Sequence, residues 1–347
     1  MMKNMMQAHE IFSALDQEYR LKNWTGQDPL LSRQMRLSQE ILAVLAVRKT
    51  DGRHILYLQC NSEDAAKGHK YPALKGISIE FSGFDNAGIE GCYVRIEQRE
   101  GSADEVYFAV SDYLCSCLEG IGRANLRKKL SEALERWRRF FSLRENIKLT
   151  REEQLGLFGE LWLLRSMLQN NVGLQAIGCW KGPYREVFDF SLHNMSIEVK
   201  TTAAKMPYKA YISNEMQLDD RLGGGNLALC FIAVQPNDSS GETLGDVVKG
   251  IEDYIESDET ACSLFRDKVF GCGLSKPYID SYAVKYIVKE HAFFNVKEGF
   301  PRILSENLPN GLGDISYSLE ISACANYRIN EQEFWQTAKL HTKEETA

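Results

Sequence analysis

Apolar and polar residues alternate over much of the first third of the chain, a pattern typical of half-buried β-strands. Ahead of this region, Ile11, Phe12 and Leu15 share one side of a predicted helix over residues 8–22. Strands are predicted over residues 41–48, 54–60, 76–81, 92–98 and 105–110. We therefore expect residues 1–118 to form a β-rich, largely antiparallel N-terminal domain.

A helical pattern replaces the alternation in the middle of the chain. One apolar stripe at three- and four-residue steps predicts a connecting helix within residues 119–148; its members are Leu126, Leu130, Leu134, Trp137 and Phe141. Thr150 followed by Glu153 is a capping box, which predicts a second helix from there to about Asn170. Apolar residues cover most of the circumference of this second helix, so we expect it to be buried.

Short apolar runs after the second helix predict three strands, a short helix and a fourth strand. The strands are expected over residues 185–192, 195–202 and 208–212, the short helix over 214–221 with Ser213 as its cap, and the fourth strand over 227–234. The order of elements over residues 149–236 is therefore αβββαβ.

The last part of the chain, residues 237–347, mixes both patterns and is expected to be an α+β C-terminal region. Helices are predicted over 244–255 and 260–270, and strands over 282–291 and 314–323.

Two carboxylates and a lysine are predicted to meet on the hairpin of the first two strands in this order. If His193 and Asn194 form the turn, Asp189 lies opposite Glu198. Because side chains alternate between the faces of a strand, Lys200 shares the face of both acids. Like charges directly opposite each other are destabilising, and a metal cation would compensate them. The arrangement favours a chemical site over the alternative, a salt-bridge cluster on an exposed sheet face.

These residues resemble the core signature of the PD-(D/E)XK nuclease superfamily. The signature is an acid at the end of one strand and Glu-x-Lys on the next, here Asp189 and Glu198-Val199-Lys200. The usual Pro before the Asp is replaced by Phe188. The predicted αβββαβ order agrees with the superfamily core, so the resemblance implies an α+β (mixed α/β) fold with a restriction-endonuclease-like core.

Most of the chain also resembles one family of PD-(D/E)XK proteins, encoded beside DNA methyltransferases and helicase-like ATPases in bacterial restriction and phage-defence loci. The similarity is carried by the β-rich start, the helix with Gly159-Glu160, the hairpin, and Phe300-Pro301-Arg302. It implies DNA as substrate and such methyltransferase or ATPase subunits as partners, and a homodimer is a further expectation.

The resemblance also implies roles for individual residues. Asp189, Glu198 and the carbonyl of Val199 would hold Mg²⁺, or Mn²⁺, and Lys200 would orient or deprotonate the attacking water or stabilise the phosphorane. Two further residues are candidates: Glu160, the alternative being a salt bridge to Arg165 or elsewhere, and Gln217, the alternative being an exposed helix residue.

Charge adds candidate DNA contacts to this picture. The chain of 347 residues has a net charge of −7, which argues against a general nucleic-acid coat protein but not against a local basic patch. Residues 123–148 contain nine basic and three acidic residues. The candidate phosphate contacts are Arg127, Lys128, Arg138, Arg139, Lys205 and Lys209. For the helix, the alternative is a solvated basic face.

Composition excludes several other classes. Nine scattered cysteines lack metal-ligand spacing, and no phosphate loop, dinucleotide fingerprint or Ser-His-Asp set is present. Apolar runs are too short for a membrane span, and the start lacks a signal region, so we expect a cytoplasmic protein. The function that fits is a Mg²⁺-dependent DNA endonuclease. The alternatives are a catalytically inactive DNA-binding or assembly subunit with the nuclease fold, and an RNA-processing nuclease.

Overall fold

A computed structural model describes residues 7–21, 29–63, 69–83, 91–141, 149–184, 186–193, 195–274, 279 and 281–342. The chain divides into two compact units, the first spanning Met1–Ile147 and the second beginning at Lys148. Each unit has its own five-stranded sheet.

The sheet of the first unit is entirely antiparallel. Its strands are β1 (Leu30–Arg36), β2 (Leu42–Arg48), β3 (His54–Cys60), β4 (Ile77–Gly83) and β5 (Cys92–Gln98), in the order β1-β2-β3-β5-β4. The sequence predicts β2 to β5 closely. It misses β1, because Ser32, Arg33 and Gln34 interrupt the apolar pattern of this half-exposed strand.

Helices complete the first unit: α1 (Ala8–Leu21), α2 (Asp104–Leu118) and α3 (Leu126–Phe141), the last preceded by a 3-10 turn at Arg123–Asn125. The strand prediction over residues 105–110 is wrong, since α2 covers them. Tyr107, Val110 and Leu114 are all buried at helical spacing, and the Tyr107 hydroxyl donates to the Ile96 carbonyl at 2.6 Å. A short β-prone run hides this longer period.

The sheet of the second unit combines antiparallel and parallel pairs. Its strands are β6 (Phe190–Leu192), β7 (Met195–Thr202), β9 (Leu227–Asn237), β10 (Lys285–Val296) and β12 (Arg328–Ile329). They lie in the order β12-β10-β9-β7-β6. The hairpin β6–β7 is antiparallel, whereas β7 and β9 are parallel, with Glu198 beside Leu229 and Lys200 beside Phe231. Strand β7 therefore has a neighbour on each side, and its two charged residues lie beside an apolar strand.

The third strand of the predicted meander does not join this sheet. Strand β8 (Lys209–Ile212) pairs instead with β11 (Tyr317–Glu320) as a separate two-stranded sheet. The short helix after β8 is a 3-10 helix, Glu215–Leu218, and its cap is Asn214 rather than Ser213, because the Asn214 side chain accepts from the Met216 N–H at 2.7 Å. The 3-10 helix that follows β8 carries Gln217, which belongs to the site described below.

Helices of the second unit are α4 (Arg151–Gln169), α5 (Ala176–Cys179), α6 (Leu244–Ile255), α7 (Glu259–Gly271) and α8 (Glu331–Thr342), together with 3-10 turns at Gly182–Tyr184, Ser305–Asn307 and Ile321–Tyr327. The predicted capping box of α4 is confirmed. The predictions over 282–291 and 314–323 are shifted, because β10 is Lys285–Val296 and β11 is only four residues long; α8 is not predicted at all.

An apolar cluster fills the space between the second unit's sheet and the β8–β11 pair. Its buried members are Phe188, Ala210, Ile212, Leu218, Leu227, Leu229, Phe231, Ala233, Ala292, Phe294, Val296, Phe300, Leu319 and Cys324. Among the residues that the structure describes, no helix is long and apolar enough to cross a membrane.

Candidate active site

The hairpin β6–β7 opens at the point where the first candidate acid lies. Its ladder pairs Leu192 with Met195, as the sequence predicts, and ends at Phe190 and Ile197. Asp189 is therefore not a ladder partner of Glu198, which corrects the predicted geometry. Its carboxylate instead reaches strand β7, where Oδ2 accepts a hydrogen bond from the Val199 N–H at 2.7 Å. The ladder therefore ends before Asp189, and this acid contacts β7 through its side chain. Asn194, the second predicted turn residue, is outside the described residues.

Glu198 is the most confined acid of the site, with 1% of its surface exposed. One oxygen, Oε1, is 2.8 Å from the Lys200 Nζ. The other, Oε2, is buried and has no hydrogen-bond partner among the residues that the structure describes. A buried acceptor without a partner costs about 1–3 kcal/mol, and more when it is charged. This unpaired oxygen is the least expected feature of the site.

Lys200 joins strand β7 to the 3-10 helix Glu215–Leu218. Its Nζ donates to Gln217 Oε1 at 2.9 Å, in addition to its contact with Glu198. The same Gln217 oxygen accepts from the backbone N–H and the hydroxyl of Ser213, at 3.0 and 2.9 Å. Three donors on one oxygen orient the Gln217 amide. Gln217 is therefore not an exposed helix residue, the alternative considered from the sequence.

Glu160 enters from helix α4, which packs closely on β7. A side chain at Gly159 would overlap the Thr201 hydroxyl, so the glycine permits this approach. The Glu160 Oε2 accepts from the Trp180 indole Nε1 at 2.8 Å. Arg165 forms a bidentate pair with Glu242, at 2.6 and 2.7 Å, so it is not the partner of Glu160. Trp180 is a site residue that sequence reasoning misses, since no local pattern links it to a helix 20 positions away.

The pKa values of all three acids are raised. Burial is the main cause for each, and it raises the pKa of Glu198 to about 8, with the Asp189 charge as the second cause. The pKa of Glu160 is well above its ordinary value because of burial and the charge of Asp189, and burial also raises the pKa of Asp189. Burial lowers the pKa of Lys200, but the neighbouring carboxylates outweigh it and raise the pKa overall. Burial and the charge of Asp189 thus favour the protonated, neutral forms of Glu198 and Glu160.

The five candidate catalytic residues are thus gathered around the end of the hairpin. Glu198, Lys200 and Gln217 are linked by side-chain contacts, and Asp189 accepts from the Val199 N–H between Glu198 and Lys200. Glu160 is close enough for the charges of Asp189, Glu198 and Lys200 to shift its pKa. Within the described part of the chain, no group of three or more His, Cys, Asp or Glu side chains is placed to hold a metal ion. The role of each residue stays a prediction.

The candidate DNA contacts lie on other elements. Arg127, Lys128 and Arg138 are exposed on α3 in the first unit, where Arg138 pairs with Glu135 at 2.6 Å; the side chain of Arg139 is outside the described part. In the second unit, Lys205 is exposed after β7, and Lys209 on β8 is 3.5 Å from Glu320. Their contact with DNA also stays a prediction.

Comparison with known proteins agrees with the architecture. No curated protein and no solved structure matches the chain. A family described as "Putative PD-(D/E)XK family member" (DUF4420) matches residues 9–322, which is most of the chain and includes every element of the site. The α+β fold, the hairpin with Asp189, and Glu198-Val199-Lys200 are consistent with that assignment. The chain therefore belongs to this PD-(D/E)XK family and has a restriction-endonuclease-like fold.

Proposed function

We propose that the protein is a Mg²⁺-dependent endonuclease, also able to use Mn²⁺, that hydrolyses phosphodiester bonds of DNA in a bacterial restriction or phage-defence system. The family suggests a nuclease, and PD-(D/E)XK nucleases generally use divalent metals. The observation that carries the proposal is the buried, unpaired Oε2 of Glu198 next to a second acid and a lysine.

The donor set fits a hard divalent cation. Such ions take oxygen ligands, and Mg²⁺ is usually bound by one or two carboxylates together with water and phosphate oxygens. Glu198 offers an oxygen that no described residue uses, and Asp189 lies beside the same strand. Their raised pKa values are the expected cost of acids gathered for a cation. We assign Asp189, Glu198 and the Val199 carbonyl as the ligands.

The residues then divide the chemistry between them. A bound divalent ion would lower the pKa of water and neutralise charge on the scissile phosphate. Lys200 places an ammonium beside Glu198, where it orients the attacking water or stabilises charge on the phosphate oxygens. Gln217 fixes the direction of that ammonium by accepting one of its hydrogens. Glu160, held by Trp180, completes the acidic group from the side of α4.

DNA binding is assigned to basic surfaces and to partners. Exposed Arg127, Lys128 and Arg138 on α3, with Arg139, provide positive charge in a chain of net charge −7. Lys205 and Lys209 provide it on the unit that contains the hairpin. Methyltransferase or helicase-like ATPase subunits of the same system would select the target, and a homodimer would cut both strands.

The test is cleavage of plasmid and phage DNA by the pure protein, with Mg²⁺ and with chelator. We expect Mg²⁺-dependent cuts, and Lys200→Ala should lower cleavage by at least about 100-fold, the scale of losing one proton-transfer or electrostatic group. Lys285→Ala is the matched control, because Lys285 is remote from the site. Its ammonium is 3.4 Å from the carbonyl of Ser239, and Ser239 follows the end of β9 that is farther from Glu198.

Three outcomes would contradict the proposal. Undiminished cleavage by Lys200→Ala would show that the chemistry lies elsewhere. Binding of DNA without cleavage, even with the neighbouring gene products present, would favour the inactive DNA-binding or assembly subunit. Cleavage of RNA alone would favour the RNA-processing nuclease.

A further inference from the structure

The 3-10 helix that carries Gln217 is tied down at its C-terminal end by Arg302. The Arg302 side chain is only 7% exposed. Its Nη1 donates to the carbonyl of Leu218, the last residue of that helix, at 2.6 Å, and lies 3.0 Å from Asp220 Oδ1. A hydrogen bond from a charged donor is worth about twice a neutral one. Arg302 thus fixes the helix end one residue from Gln217.

The N-terminal end of the same helix is tied to the same part of the chain by Glu215. This buried carboxylate accepts from the Ile315 N–H at 2.8 Å and contacts the Ser305 hydroxyl at 3.4 Å. Its pKa is lowered by the backbone N–H groups that point at it, first its own and then that of Ile315. Residues 302–315 therefore hold the helix at both ends.

These ties matter because a four-residue 3-10 helix has little stability of its own. Its internal hydrogen bonds are few and their geometry is poor, so neighbouring contacts determine where it lies. Gln217 lies between the two ties and presents Oε1 to the Lys200 ammonium. A shift of the helix would move that acceptor and release the ammonium. The ammonium could then pair with either oxygen of Glu198.

We propose that Arg302 is a positioning residue for Lys200. It acts through the Leu218 carbonyl and Gln217, which hold the ammonium between Gln217 Oε1 and Glu198 Oε1 and leave Glu198 Oε2 open. This inference rests on the proposed nuclease function, since it describes how the same site is kept in register. It also gives a role to the Phe300-Pro301-Arg302 segment, in which Phe300 is buried in the same apolar cluster as Leu218.

The test is a double-mutant cycle on DNA cleavage with Arg302→Met, Gln217→Leu and both together. Misplacing a reacting group by about 1 Å costs about 100-fold, so we expect Arg302→Met to lower kcat by about 10- to 100-fold. KM should stay within about twofold, because DNA binding is not changed. The double variant should be within about threefold of the slower single variant, since both changes act on one contact.

Two further variants separate positioning from general stability. Arg302→Lys keeps a charged donor and should retain most of the wild-type kcat. Arg302→Gln, which loses the charge, carries the cycle if Arg302→Met does not fold. Arg165→Met is the matched control, because it removes another mostly buried arginine, paired with Glu242, in the same unit. It should lower the melting temperature while kcat stays within about threefold. Additive losses in the cycle, or an equal kcat loss in Arg165→Met, would overturn the inference.

A measurement without catalysis distinguishes failure of this inference from failure of the proposed function. In protein labelled with ¹⁵N-glutamine, the signal that disappears in Gln217→Leu identifies the Gln217 side-chain amide. Arg302→Met should shift that signal, and Arg165→Met should not. An unmoved signal overturns the inference even in a protein that cuts DNA. A shifted signal supports it even in a protein that does not.

Discussion

Glu198 and Glu215 are both buried glutamates of the second unit, at 1% and 5% exposed, yet their surroundings shift their pKa values in opposite directions. Glu215 receives backbone N–H donors and has a lowered pKa. Glu198 is paired with Lys200 through one oxygen, has no partner for the other among the described residues, and has a pKa raised to about 8. Burial alone therefore does not decide whether the ionised form of an acid is stabilised. The hydrogen-bond donors around the carboxylate decide it.

The same contrast extends to the neighbours of the two acids. Asp219, at the end of the Gln217 helix, accepts from the Arg221 side chain at 2.7 and 2.8 Å, and its pKa is lowered. Asp189 has the Val199 N–H as its donor, and its pKa is raised by burial. Glu215 and Asp219 are held by several hydrogen bonds from the surrounding fold. Glu198 and Asp189 receive fewer donors, as expected where a bound cation would supply the compensating positive charge.

Cleavage should show the largest difference between the two glutamates. Glu198→Gln removes a proposed metal ligand's charge, so we expect cleavage in Mg²⁺ to fall by at least about 100-fold. Glu215→Gln keeps an acceptor for the Ile315 N–H and disturbs the site only through the Gln217 helix, so the loss should be about tenfold or less. Initial rates of plasmid cleavage at saturating Mg²⁺ measure both.

Equal losses in the two variants would remove the distinction between site and scaffold. Melting temperatures measured alongside ensure that both proteins are folded at the assay temperature. We expect Glu215→Gln to be the less stable of the two in chelator, because it loses a charge that backbone donors stabilise.

The pH dependence of stability should separate the two acids next. Glu198 has a raised folded-state pKa, so its contribution to the free energy of unfolding is fully present at pH 4.5 and below. This contribution is lost as pH rises towards 8. In chelator, the free energy of unfolding should therefore fall over this window, by at most about 1.4 kcal/mol per pH unit for one proton. Glu198→Gln should make the fall shallower without abolishing it, because the pKa values of Glu160 and Asp189 are raised as well. Urea unfolding from pH 5 to 8 measures it.

The contribution of Glu215 to stability should change with pH in the opposite direction. Its folded-state pKa is lowered, so its contribution is present above its ordinary pKa of 4.5 and is lost as pH falls through the folded value. Glu215→Gln should reduce the loss of stability at acid pH and leave the fall between pH 5 and 8 in place. A fall that is as steep in Glu198→Gln as in the wild type would assign it to other groups.

How far the sequence predicts this contrast depends on the range of the interactions. The hairpin, Glu198 and Lys200 follow from local alternation, and the α4 cap follows from Thr150 and Glu153. The separation of Asp189 from the ladder, and the β8–β11 pairing between residues about 100 positions apart, depend on tertiary packing that no local pattern records. The sequence therefore predicts which acids lie close together but not their geometry.

The helix errors have a related physical cause. Residues 105–110 are β-prone, but they belong to a longer helix that is buried around most of its circumference, including Tyr107, Val110 and Leu114. Trp180 and Arg302 are tied to the site across 20 and 84 positions, by Glu160 and by the Leu218 carbonyl. Because these donors lie far along the chain from their acceptors, no residue spacing in the sequence predicts the contacts.

A smaller effect, on binding, is expected outside both groups of acids. If Arg127, Lys128, Arg138 and Arg139 contact phosphates, replacing them with Ala should weaken DNA binding equally for all sequences. The slope of log affinity against log salt should flatten by about one unit for each phosphate that is no longer neutralised. Fluorescence anisotropy over a salt series measures it, and an unchanged slope would mean a solvated or protein-binding face.

The smallest effect should be on the metal-free stability of Asp189→Asn. The substitution removes one buried charge near Glu198, whose pKa that charge raises, while an amide oxygen remains to accept the Val199 N–H. We expect the variant to be as stable as the wild type in chelator or more stable, by up to about 1 kcal/mol. Thermal or urea unfolding in chelator measures it.

Adding metal should reverse the order of the two proteins. A ligand that binds only the folded state stabilises it by mass action, so millimolar Mg²⁺ or Mn²⁺ should raise the melting temperature of the wild type. Asp189→Asn should lose most of that gain, because a neutral amide is a weaker ligand than a carboxylate. A salt-bridge cluster gives the opposite result. There the substitution would be neutral or destabilising in chelator, and divalent ions would matter equally little to both proteins, so Asp189 would belong with Glu215 rather than with Glu198.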